Sequence, residues 1–174
     1  TMNQTTKEIL FLDPVCTHNI WGGTRLRTEF GYPVEGDDIG ECWGISAHPN
    51  GDGSIRNGVY AGMKLSKVWE EHPEVFGNLA YDRFPLLTKI IDAKADLSIQ
   101  VHPDDAYAKE HENGSFGKTE CWYVMDAPEN ATLVIGHNAK TKEELASMIH
   151  EGRWSEFIRE IPVKKGDFIQ IDPG

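Results

Sequence analysis

No apolar run in this chain goes far before a glycine, a proline or an Asn/Asp turn cuts it. That punctuation restricts the fold to short strands: 17 glycines and 9 prolines are spread over 174 residues. Between the breaks lie β-branched and aromatic runs at residues 9–12, 39–46, 86–93, 97–101, 120–125, 132–135 and 166–171, each of strand length. Residues 48–62 are dense in Gly and Asn and read as loop with at most a short hairpin. Asn113-Gly114 reads as a turn. Helical signals are few. Ser66 is positioned to cap a helix over 66–72, and Asp104 and Asp105 to start one that runs through Glu110. Thr141 followed by Glu144 fits a capping box for a helix through His150, with a second helical piece at 154–158. We find neither an internal repeat nor a low-complexity linker. Many short strands, turn-rich joints and few helices predict a mainly β sandwich or barrel with short helical insertions, in a single domain over residues 1–174.

Charge narrows the function. The formal net charge is −11, from 17 basic and 28 acidic residues, with no stripe of Lys and Arg. Nucleic acid and anionic membrane surfaces are therefore poor partners. An anionic small molecule has to be held by local cations, either a metal or a few placed Lys and Arg. The 3 cysteines, Cys16, Cys42 and Cys121, are odd in number and form no CxxC pair. They read as reduced structural thiols in a cytoplasmic protein. Residues 1–8 are polar and carry no signal-peptide core, and no apolar run approaches membrane-spanning length.

Two segments carry chemistry. In Ser98-Ile99-Gln100-Val101-His102-Pro103, strand alternation puts Ser98, Gln100 and His102 on one face and turns Ile99 and Val101 toward apolar packing. One face then presents a hydroxyl, an amide and an imidazole. Hydrogen bonds alone can satisfy such a face, and so can a metal, since imidazole suits zinc and oxygen donors complete its shell. In Gly117-Lys118-Thr119-Glu120-Cys121-Trp122, a carboxylate and an ammonium sit at the mouth of an aromatic strand. Glu120 beside apolar bulk is costly unless paired or ligating. A surface Lys and Glu after a glycine turn is the ordinary alternative.

Together these segments closely resemble the type I phosphomannose isomerase family of the cupin superfamily. The likeness extends to Asn19-Ile20-Trp21-Gly22-Gly23 with Leu26, to residues 39–46 (IGECWGIS), to Pro85-Leu86-Leu87-Thr88-Lys89 and to residues 161–168. It implies a cupin-type jelly-roll β-barrel and one zinc ion per subunit held by Gln100, His102 and Glu120. A fourth ligand, a histidine, follows a Pro-Gly-type turn in the family. Here the corresponding turn reads Asp172-Pro173-Gly174, with the proline shifted. The resemblance therefore leads us to expect a catalytic domain truncated before the family's C-terminal part and inactive by itself.

The same resemblance implies an aldose–ketose isomerisation of a small-molecule sugar phosphate, between mannose 6-phosphate and fructose 6-phosphate, through a cis-enediol. Such chemistry needs a Lewis acid for the developing oxyanion and a proton carrier. Lys118 is the candidate catalytic residue, either as that carrier or as a fixed charge that stabilises the enediolate. Ser98 can hydrogen-bond substrate and Trp21 can wall the pocket. Lys89 either meets phosphate or flanks a buried strand. The other histidines read as exposed. Two alternatives stand beside this reading: a non-catalytic sugar-binding or regulatory cupin module, and another metal cupin enzyme such as an epimerase. An iron oxygenase would want two histidines in the ligand pattern, and this pattern holds one.

Overall fold

Antiparallel pairing between short strands organises the computed structural model, which describes residues 8–173. The chain begins with β1 (Leu12–Asp13), β2 (Val15–Gly23) and a short α1 (Arg25–Thr28). Then come β3 (Ile39–His48), β4 (Gly51–Asp52), β5 (Ser54–Ile55), α2 (Leu65–Glu71) and β6 (Leu87–Ile91). After these lie α3 (Asp105–His111), β7 (Glu120–Tyr123), β8 (Thr132–His137), α4 (Lys142–His150), α5 (Trp154–Phe157), β9 (Ile158–Pro162) and β10 (Phe168–Ile171). The fold is mainly β with short helices, as the turn-punctuated sequence requires. It falls into two compact units, one ending at Leu97 and the other beginning at Ser98.

In the first unit β3 is the central strand. It pairs with β2 on one side, Cys16 opposite Cys42, and with β6 on the other, Cys42 opposite Ile90. Residues 39–46, expected as a strand, thus extend to His48. Gly22 and Gly40 explain how the β2 and β3 backbones come so close. A Cβ on Gly22 would lie 2.5 Å from the Asp38 carbonyl oxygen, and one on Gly40 would lie 2.6 Å from the Trp21 ring. Leu26, Ile39 and Cys42 form one buried cluster, with Cys16, Tyr32, Val34 and Ile90 packed on it. Ile55, Leu65 and Val68 form a second. Beside it Trp69, Phe76 and Phe84 meet in tilted and edge-on contacts 5.1–5.8 Å between ring centroids.

The start of α2 differs from expectation. Lys64, not Ser66, occupies the cap position, and no side chain of the helix's own caps it. Asp52 does the capping from β4, accepting from Ser66 N at 3.2 Å and from Ser66 Oγ at 2.5 Å. A carboxylate from a distant strand is invisible to a search for local capping residues.

In the second unit β7 pairs with β10, Tyr123 opposite Phe168, and β8 pairs with β9, Leu133 opposite Ile161. Asp104 caps α3 by accepting from Tyr107 N at 2.8 Å. Thr141 Oγ1 accepts from Glu144 N at 3.1 Å at the start of α4, while the Glu144 carboxylate accepts from Lys140 N at 2.5 Å. Asn113 and Gly114 take positive φ, 54° and 75°, as a turn there requires. Only Ala108 and Met148 are fully enclosed hydrophobic side chains among this unit's described residues. The strand expected over 97–101 is absent: these residues pair in no ladder among the described residues. Ile99 and Val101 are 61% and 81% exposed, not packed.

Candidate metal centre

The stretch that carries His102 belongs to no strand, and backbone bonds just after it fix where it leads. The Lys118 backbone N–H donates to the Pro103 carbonyl at 2.9 Å. The Gly117 N–H donates to the Asp105 carboxylate at 2.8 Å. Both bonds tie the start of β7 to the chain just after His102. Gly117 suits that junction, since a Cβ there would lie 2.5 Å from the Asp105 nitrogen.

That tie brings three of the sequence candidates together. His102 Nε2 lies 3.4 Å from Glu120 Oε1, and Lys118 Nζ lies 3.3 Å from Glu120 Oε2. The His102 and Glu120 side chains are 18% and 22% exposed, whereas Lys118 is 46% exposed. Water therefore reaches the ammonium more readily than the other two. Glu120 Oε1 also accepts from Trp122 Nε1 at 3.2 Å, and the Glu120 carbonyl accepts from Gln170 Nε2 on β10 at 3.2 Å.

Ser98 and Gln100 pair with each other, Gln100 Nε2 donating to Ser98 Oγ at 2.9 Å. Among the described residues the strand pairing expected to align them is absent, and the contact is local, between side chains two residues apart. It engages the amide nitrogen and leaves the carbonyl oxygen as the donor of the kind a metal takes. Both residues are exposed.

The spacing of the donors can be tested against a metal. A charge-assisted hydrogen bond between imidazole and carboxylate is shorter than 3 Å as a rule. Two ligands about 2.1 Å from a tetrahedral zinc stand about 3.4 Å apart. The 3.4 Å between His102 Nε2 and Glu120 Oε1 is long for such a hydrogen bond and is a separation that two ligands of one ion can have. Among the described residues no three His, Cys, Asp or Glu side chains gather as a metal site. The candidate set holds one imidazole and one carboxylate, its third donor being an amide.

A cavity of about 310 Å³ is lined by Asp104, Asp105, Ala106, Gly117, Thr119 and Pro173. Its two carboxylates make it a poor seat for a phosphate. Asp104 and Asp105 are already committed as acceptors for backbone N–H groups.

The remaining candidates lie in the first unit. Trp21 sits at the end of β2, its ring against Gly40 and its carbonyl accepting from Lys94 N at 2.8 Å. Lys89 is bound inward: its ammonium lies 3.1 Å from Glu41 Oε2 and 4.5 Å from the centre of the Trp43 ring. Of the histidines read as exposed, His18, His48, His111, His137 and His150 are so. His72 is the exception, half-buried with its ring centre 4.7 Å from that of Tyr60.

Sequence reasoning missed Trp122 and Gln170 as neighbours of Glu120. The signal for Trp122 was present, because residues i and i+2 of a strand share a face. Gln170 comes from the far side of a ladder whose register only the folded chain reveals.

Comparison with known proteins gives a consistent result. The family described as phosphomannose isomerase type I, catalytic domain, matches residues 9–128. The chain is 53% identical over 169 residues to the mannose-6-phosphate isomerase ManA of Bacillus subtilis, covering 97% of this chain and 53% of that protein. It is 54% identical over 167 residues to the mannose-6-phosphate isomerase of Streptococcus mutans, covering 96% and 52%. A crystal structure of the B. subtilis mannose 6-phosphate isomerase superposes with a TM-score of 0.93 at 53% identity, over 95% of this chain and 52% of that one. The fold expected from the resemblance is thus the fold found. The chain spans about half the length of the curated relatives it matches.

Proposed function

The chain belongs to the type I phosphomannose isomerase family, and from that premise we propose that it provides the metal-holding part of a mannose-6-phosphate isomerase. The observation that carries the reading is the meeting of His102, Glu120 and Lys118 around one carboxylate, at 3.4 and 3.3 Å. The family is metal-dependent. We take zinc as the ion, because imidazole, carboxylate and amide oxygen are donors that zinc accepts. His102 and Glu120 would hold it, with Gln100 as the third donor from this chain.

A zinc ion there would supply a Lewis acid for the oxygen that gains charge as an aldose or ketose enolises. The chain's own residues supply the rest. The isomerisation moves a proton between C2 and C1 of the open-chain sugar through a cis-enediol. Lys118 Nζ is the group we assign to carry it. The ammonium is 46% exposed, so a sugar can reach it, and Glu120 Oε2 at 3.3 Å fixes its position. The Ser98 hydroxyl orients the Gln100 amide at 2.9 Å and is our candidate for a hydrogen bond to substrate. Trp21 is assigned to the substrate pocket on the family likeness alone. The 3 unbridged cysteines fit a cytoplasmic setting. Among the described residues no helix is long and apolar enough to cross a membrane.

The test is conversion of mannose 6-phosphate to fructose 6-phosphate, by this chain and by a version continued past Gly174 to the length of its relatives. The longer protein is expected to be active, silenced by a chelator, restored by zinc, and inactive as His102→Ala or Glu120→Ala. A folded, zinc-loaded long version without activity would defeat the proposal.

A further inference from the structure

The tripeptide Glu-Cys-Trp occurs twice, at residues 41–43 in β3 and at 120–122 in β7. In both places the Trp indole N–H donates to the carboxylate two residues before it. Trp43 Nε1 reaches Glu41 Oε2 at 2.6 Å, and Trp122 Nε1 reaches Glu120 Oε1 at 3.2 Å. In both places a lysine ammonium also meets that carboxylate, Lys89 at 3.1 Å and Lys118 at 3.3 Å. The first copy shows what the arrangement does when nothing is added to it. Glu41 and Lys89 are only 15% and 23% exposed, and they close an ion pair between β3 and β6.

The second copy differs in two respects. Lys89 reaches both oxygens of Glu41, whereas Lys118 is paired at Glu120 Oε2, away from the indole. The oxygen that accepts from the indole, Oε1, also faces His102 Nε2 at 3.4 Å. The terminal torsion of a glutamate is soft and roughly two-fold, so an unsupported carboxylate can present either oxygen at many angles. An ionised carboxylate oxygen has two lone pairs, and accepting one indole N–H leaves Oε1 capacity for a cation. Unlike an ammonium, the indole contributes no net charge, so it orients the oxygen without competing electrostatically with that cation. The Trp122 ring is itself held, partly buried and opposite Ile169 of β10.

We propose that Trp122 is a positioning residue, whose indole N–H fixes the Glu120 carboxylate with Oε1 turned toward His102 and so sets the affinity of the site for a divalent ion. This inference rests on the reading of Glu120 as a metal ligand. Partners that hydrogen-bond a ligating side chain commonly change metal affinity by about 10–100-fold when removed.

Trp122→Phe keeps an aromatic ring in place and removes the N–H. The zinc dissociation constant would be measured on the chain extended to its relatives' length, by competition with a chromophoric chelator, alongside the absorption bands of bound Co(II). Trp122→Phe is expected to weaken zinc about 10–100-fold and to shift the cobalt bands. An affinity within twofold of the parent, with unchanged bands, would overturn the proposal. Glu120→Gln separates the two levels. If it weakens zinc while Trp122→Phe does not, the indole's role falls and the ligand reading stands. If Glu120→Gln leaves zinc binding unchanged, the ligand reading falls and takes the indole's role with it. Benzothienylalanine at position 122, which has the bicyclic shape without the N–H, provides the same readout should Trp122→Phe fail to fold.

Discussion

Glu120 answers to His102, Lys118 and Trp122 at once, and each partner can be altered without touching the others. Lys118 is the one whose two roles make opposite predictions. Arginine keeps the positive charge but gives up no proton near neutral pH. With Lys118 as proton carrier, Lys118→Arg is expected to lower kcat about 10²–10⁴-fold with little change in KM. A variant that retains more than a tenth of the parent kcat would assign Lys118 to charge stabilisation instead. His102, Glu120 and Lys118 were legible in the sequence because an imidazole, a carboxylate and an ammonium beside short apolar strands need a partner or a task. Trp122 was passed over although its spacing from Glu120 was in the sequence, because an indole in an aromatic strand reads as core until its N–H is traced.

Among the elements, what could be read was what is local. The Asp104 and Thr141 caps bond backbone N–H groups three residues on and were visible as sequence patterns. Thr141→Ala is expected to cost about 1 kcal/mol of stability, measured by chemical denaturation. The start of α2 and the segment at 97–101 depended on partners elsewhere in the chain, Asp52 in one case and a missing ladder in the other. The β2–β3 pair makes a pH prediction. Burial, and then the Cys42 side chain across the ladder, push the Cys16 thiol from 9.0 up to about 12. The folded protein thus keeps this proton where the unfolded chain releases it. The stabilisation is complete below pH 9 and is lost as pH rises toward about 12. Melting temperature is expected to fall across that window, and less steeply in Cys16→Ala. Parallel curves would show that Cys16 does not control the alkaline limit.

Across the whole molecule, enclosed hydrophobic side chains are unevenly divided. The first unit holds Leu26, Ile39, Cys42, Ile55, Leu65, Val68 and Trp69; the second, among its described residues, holds Ala108 and Met148. Local opening follows buried apolar contact. Amide hydrogens of β2, β3 and β6 are expected to exchange more slowly than those of β7–β10 in the metal-free protein. Equal protection would show that burial does not rank the two units. The sequence implied this division poorly, since both halves alternate apolar and polar residues and only packing decides which apolar side chains are covered.

A unit with so little apolar interior owes a larger share of its stability to whatever binds it. Free zinc at a thousand times its dissociation constant would add about 4 kcal/mol, a large part of a small domain's whole margin. On the proposed reading, scarcity of the ion would then show first as faster clearance of the protein by cellular proteases, and only second as slow sugar turnover by the molecules that remain.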